Sequence, residues 1–162
     1  MAVTAVSTVD AALGLVGWLV LCFGAAAVGA RFRPGAWHAG LRKPSWTPPN
    51  WLFAPVWTLL YAMMAVAAWL AWQGVGLSWE SGLFLVQLVL NAAWTWLFFG
   101  LKRPALALAD ILALWLAIAA TLVTFWQLRP LAGLLLAPYL AWVTFAAALN
   151  AALWRLNRPR GF

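Results

Sequence analysis

Gln87, Asn91, Trp94, Thr95 and Phe98 follow one another at steps of four, three, one and three, which places them on one face of a helix. Pro138, Tyr139, Trp142, Phe145, Leu149 and Asn150 make a similar stripe, and Trp57 and Tyr61 lie beside Pro55. Amides and phenols interleaved with indoles supply hydrogen bonds and ring faces rather than nucleophiles or acid–base pairs. Facing one another, the stripes would line a cavity suited to a large, flat, apolar ligand. The same residues would also serve as interhelical glue, with amides and hydroxyls satisfying one another and rings filling space. Periodicity leaves both readings open.

Other reactive groups are sparse. Asp110 is the only acidic residue well inside a hydrophobic segment, six positions after Pro104. At ~1.5 Å per residue it lies about 9 Å into its helix, within reach of water or of Lys102 and Arg103. A structural salt bridge or a helix-start carboxylate is therefore expected, ahead of a proton relay. His38 is the only histidine and stands beside Trp37, far from any cysteine or carboxylate cluster. It is expected to pack in a loop or on the surface, and no metal site is expected. Cys22 is the single cysteine, which rules out an intrachain disulfide. No Ser-His-Asp order, phosphate loop or HExxH helix occurs, so classical hydrolase, nucleotide-dependent and zinc-protease readings have no residues, and no catalytic residue is assigned.

The elements that must position these groups follow from composition. The chain has 162 residues, 67% hydrophobic and 8% charged, with a mean hydropathy of +0.92. That excludes an ordinary soluble domain, and the apolar runs are long enough to cross a bilayer. Residues 1–162 read as one all-α membrane domain, a bundle of five transmembrane helices at about 11–30, 51–72, 81–99, 104–126 and 131–154. Asn50 is placed to cap the second span, Pro104 is tolerable in a first helical turn, and Pro138 should kink the fifth span or expose a carbonyl to a neighbour. A cleaved signal peptide ending near Val28-Gly29-Ala30 lacks the basic residues that would precede it. A β-barrel fails because the runs are continuously apolar instead of alternating.

The charge of +7 sits at the ends of these runs, so topology explains it better than nucleic acid does. Arg31, Arg33, Arg42, Lys43, Lys102, Arg103, Arg155, Arg158 and Arg160 fall on one side of a five-span chain, and Arg129 alone on the other. In a plasma membrane the first connection and the C-terminus would face the cytoplasm. That connection, residues 31–50, carries Trp37, His38, Arg42, Lys43 and Trp46 among several prolines. Prolines limit its conformations, and its tryptophans could cap the bundle while its basic residues meet an anionic head or a ligand carboxylate. An interfacial anchor of Trp and Arg is the plainer alternative. In the first span, Ala25 and Gly29 form a small-xxx-small pair suited to packing within the bundle or across a homodimer.

The segment Lys43-Pro44-Ser45-Trp46-Thr47-Pro48-Pro49-Asn50, with Pro55-Val56-Trp57-Thr58 and Tyr61 after it, resembles the translocator protein family, also called tryptophan-rich sensory proteins or peripheral-type benzodiazepine receptors. Asn91-Ala92-Ala93-Trp94, Phe98-Phe99, Asp110, Pro138-Tyr139-Leu140-Ala141-Trp142, Phe145, Leu149-Asn150 and Trp154 continue the pattern in order. The resemblance implies a bacterial member with five tightly packed helices, a homodimer, and a pocket beneath the first connection. It implies as ligands protoporphyrin IX or a haem-like tetrapyrrole, cholesterol or related lipids, and isoquinoline or benzodiazepine drugs, with no obligatory cofactor. Carried over, the pocket residues are Trp46, Asn50, Trp57, Tyr61, Asn91, Trp94, Trp142 and Phe145, with Ala146 and Leu149 beside them. Trp37, His38, Arg42 and Lys43 are the candidates from the loop.

The resemblance further implies tetrapyrrole sensing, with porphyrin or lipid transport and light-dependent porphyrin degradation as alternatives, in the cell membrane or the outer membrane of a bacterium. One departure bears on sterols. The C-terminal stretch Leu149-Asn150-Ala151-Ala152-Leu153-Trp154-Arg155 lacks the tyrosine of the cholesterol-recognition pattern, which argues against high-affinity cholesterol binding.

Overall fold

The computed structural model describes residues 7–158; Arg160, counted in the charge asymmetry, lies outside them. Five helices are long and apolar enough to cross a membrane, and no strand occurs among the described residues. The chain is an integral, multi-pass membrane protein of all-α fold. Its helices are α1 (Thr8–Gly29), a short α2 (Ala36–Ala39) in the first connection, α3 (Asn50–Val75), α4 (Trp79–Thr95), α5 (Pro104–Leu128) and α6 (Pro130–Asn157).

The ends extend beyond the apolar runs for local reasons. α1 starts early because Ser7 caps it, its hydroxyl accepting the Asp10 N–H at 3.1 Å and donating to the Asp10 carboxylate at 2.6 Å. α3 runs on to Gly76, whose φ of +70° suits glycine and stops the helix. Asn50 is the first helical residue instead of the cap; Pro49 holds the capping position with extended backbone. Pro104 and Pro130 open α5 and α6, where a missing N–H costs no helical bond. Pro55 and Pro138 sit inside α3 and α6, and both helices continue through them.

Packing closes the spans into a ring. α1 lies against α3 and α4, α6 against α3 and α5, and α4 against α5. The first connection and the end of α6 share one face of the bundle, because Asn157 bonds to the backbone of Arg42. At the opposite face Arg129 donates to the Gln73 side chain at 3.2 Å.

Small residues bring this second half together. An added Cβ at Gly133 would stand 2.8 Å from Trp126 Cα and 2.9 Å from the Leu122 carbonyl, so α5 and α6 touch there almost backbone to backbone. Ala65, Ala67, Ala68 and Ala71 are buried beside Phe84 and Phe125, which stack at 5.9 Å. In α1 the small pair is used internally: Gly29 lies against Thr95 of α4, and Ala25 packs on the core.

Candidate functional site

A chain of buried polar groups crosses the bundle near the middle of its helices. Tyr61 of α3 donates to Asn91 Oδ1 at 2.7 Å, Asn91 Nδ2 donates to Tyr139 Oη at 2.7 Å, and Tyr139 donates to Gln87 Oε1 at 2.9 Å. Asn91, Gln87 and Tyr139 are almost wholly buried, where unpaired amides would be costly. The glue reading is therefore correct for this part of the stripes, and both polar atoms of Asn91 are already engaged.

Toward the first connection the packing stops, leaving a cavity of about 470 Å³, within the ~300–1,000 Å³ range of sites for drug-sized ligands. Trp57, Tyr61 and Asn91 contribute to it, as do Trp94, Trp142, Ala146 and Leu149. Asn50 and His38 line it near the connection. A cavity and a hydrogen-bonded layer thus occur together, at different depths of the same stripes.

Hydrogen bonding separates the indoles. Trp94 Nε1 donates to Asn150 Oδ1 at 3.0 Å, and Asn150 Nδ2 donates to the Pro104 carbonyl at 2.8 Å. Trp142 differs: its Nε1 is buried with no partner. Its ring, not its N–H, is what the cavity offers to a ligand.

The ring walls are braced from behind. Trp142 meets Phe53 at 5.7 Å and Phe145 at 5.5 Å, and Phe145 takes the edge of Trp46 at 5.7 Å. Trp46 and Phe145 support the wall without lining it, and Trp46 keeps 48% of its surface exposed. Trp37 packs on Phe98 at 5.8 Å. Arg42 and Lys43 also lie off the cavity, and Lys43 Nζ caps α2 by donating to the His38 and Ala39 carbonyls at 2.7 and 3.1 Å.

Several lining residues were not singled out from the sequence. Phe23 and Ala26 share a face of α1 that Ala30 continues past its end, at a spacing that could have flagged them, and Phe32 and Pro34 flank Arg33, one of the basic residues of the connection, in the wall. Phe53, Ala54 and Thr58 come from α3. Ala30, Ala54 and Thr58 are exposed as well as lining, so the cavity has a seam between α1 and α3.

Phe99 joins Phe98 because α4 ends in a π-helical turn, Trp96–Gly100. This wider turn, a feature frequent at functional sites, turns two consecutive rings toward the same space; their centroids are 4.9 Å apart. No spacing rule based on a regular helix anticipates that.

Charge is confined to the mouth. Arg33 is exposed, and its Nε donates to the Ala30 carbonyl at 3.3 Å, a bond that does not use the terminal guanidinium nitrogens. His38 is half-buried against Phe99 at 5.4 Å, and desolvation, aided by the Lys43 ammonium, holds its pKa below the ordinary imidazole value. The ion pair expected of Asp110 does not form: Oδ2 is buried without a partner. Lys102 and Arg103 are exposed at the membrane face, with Lys102 in a left-handed turn at φ +55°. No group of three or more metal-ligating side chains occurs among the described residues.

Comparison with known proteins agrees with this architecture. The model of the TspO/MBR family matches residues 15–155. The chain is 45% identical to protein CrtK of Rhodobacter capsulatus, covering 86% of this chain and 90% of that protein. It is 46% identical to the translocator protein of Homo sapiens, covering 80% and 82%. It is 43% identical to the tryptophan-rich sensory protein of Cereibacter sphaeroides, covering 88% and 90%.

Proposed function

The chain belongs to the TspO/MBR family, and on that premise we propose that it is a membrane receptor for tetrapyrroles such as protoporphyrin IX. The observation that carries this reading is the ring-lined cavity of about 470 Å³ between α3, α4 and α6 beneath the first connection. A flat macrocycle gains stacking and dispersion from Trp57, Trp94 and Trp142. Its carboxylates would lie at the mouth beside Arg33 and His38, where charge stays hydrated. The cavity holds no general acid–base pair, so the role is recognition. Isoquinoline and benzodiazepine drugs fit the same description of flat rings with an acceptor, whereas cholesterol would gain little from stacking surfaces.

The seam between α1 and α3 supports loading from the bilayer, and with it a second reading in which the ligand is passed on. Flux of protoporphyrin IX into sealed proteoliposomes would favour transport; saturable binding without flux favours the receptor. In a bacterial cell membrane the positive-inside rule places the first connection in the cytoplasm. The exposed apolar flank of α1, including Val9, Leu13, Val16 and Val20, is available to lipid or to a second copy in a homodimer.

Titration of the purified protein with protoporphyrin IX, followed by tryptophan fluorescence with inner-filter correction, tests the reading. Saturable quenching is expected, weakened about tenfold or more in Trp142→Ala through loss of a ring wall. Unchanged binding across Trp57, Asn91 and Trp142 replacements would place the ligand elsewhere.

A further inference from the structure

We propose that Asn157, at the last turn of α6, is a positioning residue: a latch that holds the first connection over the cavity and sets how fast ligand enters and leaves. Asn157 Oδ1 accepts the Arg42 N–H at 2.9 Å, and Nδ2 donates to the Arg42 carbonyl at 2.9 Å. The second Nδ2 hydrogen goes to the Leu153 carbonyl at 2.8 Å, which fixes the amide on its own helix. A primary amide offers one acceptor and two donors, and all three are matched here to backbone groups of two different elements.

These two bonds are the only hydrogen bonds joining residues 34–48 to the helix bundle among the described residues. The segment's other bonds are internal, from Lys43 to the carbonyls of α2 and from Thr47 to Pro44. What else holds it is apolar: Trp37 on Phe98, His38 on Phe99, Trp46 on Phe145. Ring contacts of this kind are tolerant of sliding, whereas paired hydrogen bonds to one peptide fix register and direction. Asn157 itself does not line the cavity, but His38, four residues before the latched Arg42, does. Releasing Arg42 therefore loosens the part of the wall that the connection supplies, with every α3, α4 and α6 ring left in place.

The latch stands on hydrogen-bond geometry alone; its effect on ligand exchange rests on the binding reading above. The two are separable by experiment on the full-length protein in lipid nanodiscs. Asn157→Asp keeps the side-chain shape but turns an anionic oxygen toward the Arg42 and Leu153 carbonyls, and Asn157→Ala removes the amide altogether. In ligand-free protein, amide hydrogen exchange at Arg42 and across residues 36–49 is expected to quicken about tenfold in both variants, given the modest net worth of two hydrogen bonds. Exchange in α3 to α6 should be unchanged.

With protoporphyrin IX, association and dissociation should both accelerate by similar factors, leaving Kd nearly unaltered. Trp142→Phe, by contrast, should speed dissociation alone. Asn157→Gln, which retains an amide, should restore part of the slow exchange. Unaltered amide exchange in the Asp and Ala variants overturns the latch. Faster amide exchange with both ligand rates unchanged overturns its control of access. If the parent protein fails to bind protoporphyrin IX, the binding reading falls, and amide exchange still decides the latch.

Discussion

The two halves of the bundle are built from the same residue types and differ in what faces the tryptophans. In the half away from the first connection, glycine and alanine stand opposite large rings: Gly133 against Trp126, Gly14 against Trp72, Ala65 and Ala68 among Phe84 and Met64. Backbones approach closely there. In the other half, rings of α3, α4 and α6 stand with small residues such as Ala26, Ala54 and Ala146 around a cavity. The layer of Tyr61, Asn91, Tyr139 and Gln87 marks the boundary. An aromatic-rich membrane protein is thus not a pocket by composition; space depends on whether small residues let the facing helices close.

The sharpest break in that contrast is at Gly133. Gly133→Ala would push α5 from α6 against backbone atoms that cannot rotate away, at a cost of about 3 kcal/mol, the upper end for overpacking. A clear fall in the thermal unfolding midpoint in detergent is expected. An unchanged midpoint would mean the far half is not close-packed.

Ala146→Phe makes the converse change, placing a ring in the cavity half. Protoporphyrin IX binding should weaken about 30-fold, or ~2 kcal/mol, with thermal stability held or raised because the space was empty of side chain. Loss of stability instead would show that the cavity wall tolerates no added volume.

Tyr139→Phe tests the boundary. It strands Asn91 Nδ2 and Gln87 Oε1, and interhelical hydrogen bonds in membranes average below ~2 kcal/mol, so a loss of about 1 kcal/mol in unfolding free energy is expected, shared by probes in both halves. A loss confined to one half would show that the polar layer does not couple them.

The smallest effect belongs to His38. Burial and the Lys43 ammonium hold its pKa below the ordinary imidazole value, so a connection that opens and hydrates His38 would bind the additional proton. Closure is therefore fully favoured above the ordinary imidazole value of about 6.5 and weakens as pH falls below it. Amide exchange in residues 36–49 should quicken modestly on acidification, and His38→Gln should abolish that pH dependence. A pH dependence that persists in His38→Gln would assign it to another group.

Five spans, their order and the crowding of basic residues at one face were legible because each depends on local quantities. Run length against bilayer thickness, and charge against depth, need no tertiary information. Much of the cavity wall was legible for a related reason: Trp57, Asn91, Trp94, Trp142 and Leu149 lie on regular helical faces, and a regular period shows which side chains share a face, whereas Ala146 came from the family resemblance alone. The residues missed there mark where regularity ends or where the partner helix decides. Phe99 depends on the π-helical turn, and Phe23 on α1 lying against α3 and α4.

Only the tertiary structure decided which amides are spent and which donor is left open. Asn91 and Trp142 looked alike as polar groups on apolar stripes, but hydrogen bonds among α3, α4 and α6 satisfy the first, and the second is buried without a partner. The same holds for Asn157, whose contact with Arg42 spans 115 positions. The sequence by itself determined what must be buried in lipid, since the cost of exposing a backbone or a charge there is set residue by residue. What each buried group meets is a property of pairs distant in the chain, and folding brings those pairs together.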